Sequence, residues 1–149
     1  MTLNYPSRYI SIVNCKASTA AASVPPALEQ PAASTQTVLS LAGAEGDWRC
    51  AWCLNHVANE GDRFKHDGRD EFAFSNPEGI RFEIITFFLT LGCRNTGVPT
   101  LEHTWFPGYA WSYCQCDACG QHLGWYYTGP NDFVGLIKSR IVRGACVRN

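Results

Sequence analysis

Cys50-Ala-Trp-Cys53 and Cys116-Asp-Ala-Cys119-Gly120 are two Cys-x-x-Cys knuckles. This spacing lets two thiolates from one tight turn reach the same cation, and two such turns complete a tetrahedral set of four sulfurs, which suits Zn²⁺. Gly120 supplies backbone freedom where amides turn toward sulfur. The knuckles lie far apart in the chain, so a shared metal ties the start of a domain to a strand pair late in it. Such a site contributes on the order of 10 kcal/mol to folding. The alternatives are two disulfides or a redox dithiol. The only early apolar run, Tyr9-Ile-Ser-Ile-Val, is shorter than the roughly 7–15 residues of a secretory core, which disfavours disulfides. A four-thiolate site has no open position for water or substrate, so it argues against zinc hydrolysis.

Outward from the knuckles the chain divides unequally. All five Trp lie at or after Trp48, and seven of the eight Cys at or after Cys50. Residues 1–46 hold four charges, half the prolines and many Ala, Ser and Thr. Such a segment buries too little apolar surface to offset its chain entropy, so we expect a disordered low-charge tail. Residues 47–143 are expected to form one mainly β domain, with a short C-terminal tail over 144–149. Expected strands are Glu71–Ser75, Ile80–Leu91, Tyr109–Gln115, Leu123–Thr128 and Phe133–Ile141, with a turn at Asn76-Pro-Glu-Gly79. The later half of Ile80–Leu91 is nearly continuously apolar and is expected to be buried on both faces. Cys114, two residues before Cys116, points to the same strand face and reads as a core thiol or an alternative ligand, the core reading being preferred. Cys15, Cys93 and Cys146 read as buried or idle thiols.

The net charge of −1 removes the electrostatic case for nucleic acid or an anionic membrane, and no apolar stretch approaches the roughly 20 residues of a membrane span. The cytoplasm is the expected compartment. Arg8, Lys16 and the many Ser, with no acid before Glu29, leave organelle targeting open.

His103-Thr-Trp105-Phe-Pro107-Gly108-Tyr-Ala-Trp111 is the densest aromatic segment. Pro107-Gly108 suits the centre of a type II turn, which folds Trp105 back toward Trp111. Trp125 and Tyr127 share a strand face. Three indoles and a phenol there read either as hydrophobic core or as a box for a small ligand, a cation on π faces or a flat-sided neutral ring. Trp48 and Trp52 are expected to pack near the first knuckle.

Asn76-Pro-Glu-Gly79, Glu102-His-Thr-Trp-Phe-Pro-Gly-Tyr-Ala-Trp111, Gln115-Cys-x-x-Cys119, His122-Leu-Gly-Trp125 and Phe133-Val-Gly-Leu136 together resemble the thalidomide-binding (CULT) domain of the cereblon family, in the form of its single-domain bacterial homologues. The resemblance covers residues 47–143. It implies a β-tent of two small antiparallel sheets pinned by zinc on Cys50, Cys53, Cys116 and Cys119. It implies a cage of Trp105, Trp111 and Trp125 for a cyclic imide. The imide N–H would donate to the backbone carbonyl of His103 and a ring carbonyl would accept from the N–H of Trp105. Asn76 would belong to the loop over the mouth. Tyr127 stands at a cage-floor position that is often Phe in the family, so its hydroxyl is a departure, as is Cys114. The implied partner is a cyclic imide or a protein terminus cyclised to one. The ubiquitin-ligase adaptor is not expected, because the N-terminal segment is too short for the family's Lon-like domain. The expected function is binding rather than catalysis. The competing readings are an enzyme of the methionine sulfoxide reductase B type, with Cys93, Cys114 or Cys146 as the thiol, and a methyl-lysine reader.

Overall fold

Nine strands and three single-turn 3-10 helices organise residues 46–147, the part of the chain that this computed structural model describes; no α-helix occurs among the described residues. The expected tail over 1–46 lies, Gly46 apart, outside the described residues, as do the last two positions. The strands are β1 (Asp47–Cys50), β2 (His56–Asn59), β3 (Glu71–Ser75), β4 (Arg81–Phe87), β5 (Cys93–Thr100), β6 (Ala110–Cys116), β7 (His122–Thr128), β8 (Phe133–Ile137) and β9 (Ile141–Arg143). They form two antiparallel sheets, a small one ordered β2-β1-β9 and a six-stranded one ordered β3-β4-β8-β7-β6-β5. The mainly β expectation is borne out.

β8 lies between β4 and β7, and all five of its residues are buried. A strand covered on both faces reads as a continuous apolar run. The expected strand Phe133–Ile141 is divided by a 3-10 turn over Lys138–Arg140, after which the chain crosses to the other sheet as β9. The expected strand Ile80–Leu91 is also shorter than the apolar run. Ile84–Phe87 are buried against β8, but Phe88, Leu89 and Leu91 are exposed. Beyond Phe87 the backbone leaves the sheet, and the Phe88 and Leu91 amides donate to Asp62 and Val57 instead.

Both expected turns form. Gly79 N–H donates to Asn76 O at 2.9 Å, and the Asn76 side chain accepts from Ile80 N–H at 2.9 Å. Across Pro107-Gly108, Tyr109 N–H donates to Phe106 O at 3.0 Å, with Gly108 at φ +86, the left-handed value that a type II turn requires. The core falls into two clusters. One surrounds Cys50, Cys114, Cys116, Leu123 and Leu136. The other gathers Phe72, Phe106, Trp125, Tyr127 and Phe133. The first backs the knuckles and the second backs the Pro-Gly turn.

Candidate functional site

Cys50 ends β1 in the small sheet, and Cys116 ends β6 in the large one. Each opens the same turn. Cys50 N–H donates to Asn55 O and Leu54 N–H to Cys50 O; Cys116 N–H donates to Gln121 O and Gly120 N–H to Cys116 O. Each turn needs a left-handed residue four places after its first cysteine. Gly120 adopts it at φ +74 without cost, whereas Leu54 adopts it at φ +63 against its Cβ.

The four ligand atoms of Cys50, Cys53, Cys116 and Cys119 all lie within 4.8 Å of one another. A tetrahedron with metal–sulfur bonds of about 2.3 Å has edges of about 3.8 Å. The Cys50–Cys119 and Cys53–Cys116 sulfur separations are 3.8 and 3.5 Å, so the thiols fit one tetrahedral metal ion. Burial raises the Cys50 and Cys53 thiols. At Cys116 burial acts in the same direction but is outweighed by the Cys119 and Ala118 amides and the Cys53 and Cys119 thiols, which bring it down to about 7. Amides thus point at sulfur in the second knuckle, as the Gly120 spacing suggested.

Cys114 is buried in the core behind this cluster and is not among its four ligands. Cys93 is half-buried and packs against the same core. Cys146 is disulfide-bonded, which corrects its reading as an idle thiol. Trp48 packs as expected, edge-on to Phe87 with the Arg143 guanidinium over its ring. Trp52 does not. It lies between the two cysteines of the first knuckle and is 63% exposed.

Along β6 and β7 a cavity of ≈ 280 Å³ is lined by Asn76, His103, Trp105, Trp111, Trp125 and Tyr127, the six residues singled out in the sequence. The Trp105 and Trp125 rings meet at 4.8 Å and 74°. Trp105 is held by stacking on Phe74 and by Nε1–H donating to Ser75 O at 3.2 Å. Trp111 is held by Nε1–H donating to Glu102 O at 2.7 Å. Tyr127 also lines the cavity. It is 2% exposed and packs on Phe106 and Phe133, and burial raises its phenol well above the ordinary range. Among the described residues its hydroxyl has no hydrogen-bond partner.

The loop between β5 and β6 leaves two backbone groups free. Among the described residues neither the His103 carbonyl nor the Trp105 N–H has a partner. His103 sits at φ +54, a conformation that costs a non-glycine residue about 1–3 kcal/mol. Surrounding contacts fix it there: Thr104 N–H donates to Leu101 O, and the Thr104 hydroxyl donates to Tyr109 O at 2.7 Å. A strained loop thus offers an acceptor and a donor beside an aromatic cavity.

Pro77, Phe82, Tyr113 and His122 also line the cavity and were not assigned to it from sequence. Phe82 reads as an ordinary alternating strand residue, yet its ring abuts both Trp105 and Trp125. The one available signal for Tyr113 was its two-residue spacing from Trp111, which places their rings 5.4 Å apart.

No protein-family model matches the chain. Protein cereblon of Gallus gallus is 40% identical over 76 residues, 47% of this chain and 17% of that protein. Protein cereblon of Xenopus tropicalis is 37% identical over 75 residues, with 46% and 17% covered. Protein cereblon of Drosophila willistoni is 31% identical over 131 residues, with 78% and 21% covered. The chain thus spans about a fifth of the length of these relatives. Among solved structures, the Mis18 "Yippee-like" domain is similar at a TM-score of 0.43 and 13% identity, covering 65% of this chain and 92% of that one, a likeness too slight to carry an argument. No helix among the described residues is long and apolar enough to cross a membrane.

Proposed function

With a cereblon-like domain as the premise, we propose that the protein is a zinc-stabilised binding module whose tryptophan cavity takes cyclic imides. The observation that carries this reading is the free His103 carbonyl and Trp105 N–H beside the cavity. An imide presents acceptor, donor and acceptor along one edge. That edge satisfies both backbone groups, while the methylenes on the other edge lie against indole faces. The cavity volume of ≈ 280 Å³ lies below the roughly 300–1,000 Å³ of drug-sized pockets and suits a small ring. At about −1 kcal/mol per heavy atom, a ring of roughly eight heavy atoms binds at about micromolar strength. The source of such a ring is a free small molecule or a protein terminus cyclised to an imide.

Zinc is the metal that four closed thiolates favour, and its role is structural. It supplies cross-linking of the two sheets; the chain's own residues do the binding. Non-enzymatic function is supported by the thiols outside the knuckles. Cys114 is buried, Cys93 packs into the core and Cys146 is disulfide-bonded, and none lines the cavity. The lining also contains no carboxylate to balance a methylated ammonium.

Calorimetric titration of the zinc-loaded chain with glutarimide, N-methylglutarimide and a trimethyl-lysine peptide tests the reading. Glutarimide is expected to bind at about micromolar strength, and N-methylation to weaken it at least about tenfold by removing the donor. Equal binding of the two imides, or tighter binding of the peptide, overturns it.

A further inference from the structure

His122 opens β7 and lines the cavity, but the imide reading gives it no task. Its ring is held from both sides. Nε2 lies 2.8 Å from Gly124 O, and Nδ1 lies 3.1 Å from Arg140 Nη1. The same Nη1 donates to His122 O at 2.7 Å. A guanidinium has donors and no acceptor, so Nδ1 carries the lone pair and Nε2–H donates to Gly124 O. One neutral tautomer is therefore selected. In that orientation the imidazole meets Trp125 at 5.0 Å and 82° and Tyr113 at 5.3 Å and 83°, and both rings are cavity walls. Arg140 lies outside the cavity, in the 3-10 turn after β8, and its backbone carbonyl is fixed by the Ala51 N–H at 3.0 Å.

We propose that Arg140 is a positioning residue for the cavity: it locks His122 in the neutral Nε2–H form that buttresses Trp125, so that ligand capture requires His122 to stay uncharged. The proposal rests on the imide reading for its ligand and on the clamp geometry for its mechanism. The ionisable groups that face His122 are Arg140 from the 3-10 turn and the Tyr113 phenol from β6. No Asp or Glu pairs with it among the described residues. Protonating Nδ1 would set a donor against a donor and a cation against a cation at 3.1 Å, so the clamp must open. Burial, aided by the Arg140 charge and opposed by the Gly124 carbonyl, holds the imidazole below the ordinary histidine range, which favours the neutral ring. Because the folded value is lowered, the clamped form is intact above the ordinary value of about 6.5 and is lost as pH falls through the lower folded value.

The test combines glutarimide titration from pH 8 to pH 5.5, zinc content at each point, and long-range ¹⁵N NMR of His122, on the full zinc-loaded chain and on Arg140→Met, Arg140→Lys and His122→Gln. The wild type is expected to show the Nε2–H tautomer and flat affinity across pH 6.5, falling only below it. Arg140→Met is expected to bind roughly five- to tenfold more weakly at pH 8 and to titrate at higher pH. Arg140→Lys should restore part of the affinity, and His122→Gln should abolish the pH-dependent fall while zinc is retained. A wild-type midpoint in Arg140→Met, or a charged or Nδ1–H ring in the wild type at pH 7, overturns the proposal. Should Arg140→Met not fold, the wild-type ring decides, since a charged or Nδ1–H imidazole at pH 7 refutes the proposal without any variant. A clamped His122 in a protein that binds no imide at any pH refutes the imide reading and leaves the clamp standing.

Discussion

Replacing Trp125 by alanine separates the cavity from the metal site. The indole is 9% exposed and meets Trp105 at 4.8 Å, Phe82 at 5.2 Å and His122 at 5.0 Å, all edge to face. Large-to-small changes at buried Trp cost about 3–5 kcal/mol where the gap is new. Here a cavity already borders the ring, so the cost falls at or below the lower end, about 2–3 kcal/mol. Trp125 belongs to the cluster on the Pro-Gly side, whereas the knuckles are backed by the other, so the thiols keep their geometry. For the ligand the change removes one of three indole walls, a loss of about 2 kcal/mol or roughly thirtyfold in affinity. Calorimetric titration with glutarimide, metal analysis and a thermal melt on the same sample read the three quantities. The expected result is one zinc per chain, a melt lowered by several degrees and affinity reduced at least about thirtyfold. Affinity within threefold of wild type, with zinc and fold intact, would show that Trp125 is packing and not a cavity wall.

The first knuckle carries a left-handed leucine where the second carries glycine, so Leu54→Gly is expected to leave metal content unchanged and to gain up to about 1 kcal/mol in chemical denaturation, the relieved strain exceeding the added chain entropy. Cys116→Ala should abolish metal retention, because it removes one of four sulfurs, whereas Cys114→Ala should keep the metal and cost about 1–2 kcal/mol for a small core gap; metal loss from the second variant would return Cys114 to the ligand set. Trp111→Phe cuts the 2.7 Å tether to Glu102 O while leaving an aromatic wall, and a roughly three- to tenfold loss of glutarimide affinity with an unchanged melt is expected; unchanged affinity would show that the tether does not position the His103 loop.

Sequence legibility followed the range of the cause. The knuckles were legible because Cys-x-x-Cys geometry is local, and the two turns because Pro, Gly and Asn impose local torsions. β3 and β7 carry apolar alternation and were read within a residue of their ends. β5 has none: Cys93–Thr100 is an edge strand, mostly exposed, with Gly97 and Pro99 inside it, so its composition reads as loop. β1 and β2 are four residues each, too short for a period to show. The run Phe88–Leu91 misled because apolar composition does not say where a neighbouring strand ends. At the site, tryptophan at a Pro-Gly turn was a distinctive signal. Whether Phe82 faces core or cavity is set by strands far away in sequence, and the His122 clamp depends on Arg140, which no spacing rule connects to it.

The two sites have separate cores but not separate supports. β6 carries Trp111 at its cavity end and Cys116 at its metal end, about 17 Å along one strand. A second link passes through Arg140, whose carbonyl accepts from Ala51 inside the first knuckle while its guanidinium clamps His122. Releasing a metal from the thiols would free the knuckle whose Ala51 N–H fixes Arg140. Linkage requires reciprocity: if the metal-free chain binds glutarimide poorly, glutarimide must hold the metal in by the same factor. With no affinity left in the metal-free form, ligand at a hundred times its Kd protects by about 2.7 kcal/mol, roughly a hundredfold change in the metal equilibrium. A competition titration with a zinc chelator, with and without saturating glutarimide, reads this directly. An unchanged chelator midpoint would mean that the cavity persists without the metal, and that neither β6 nor Arg140 carries the coupling.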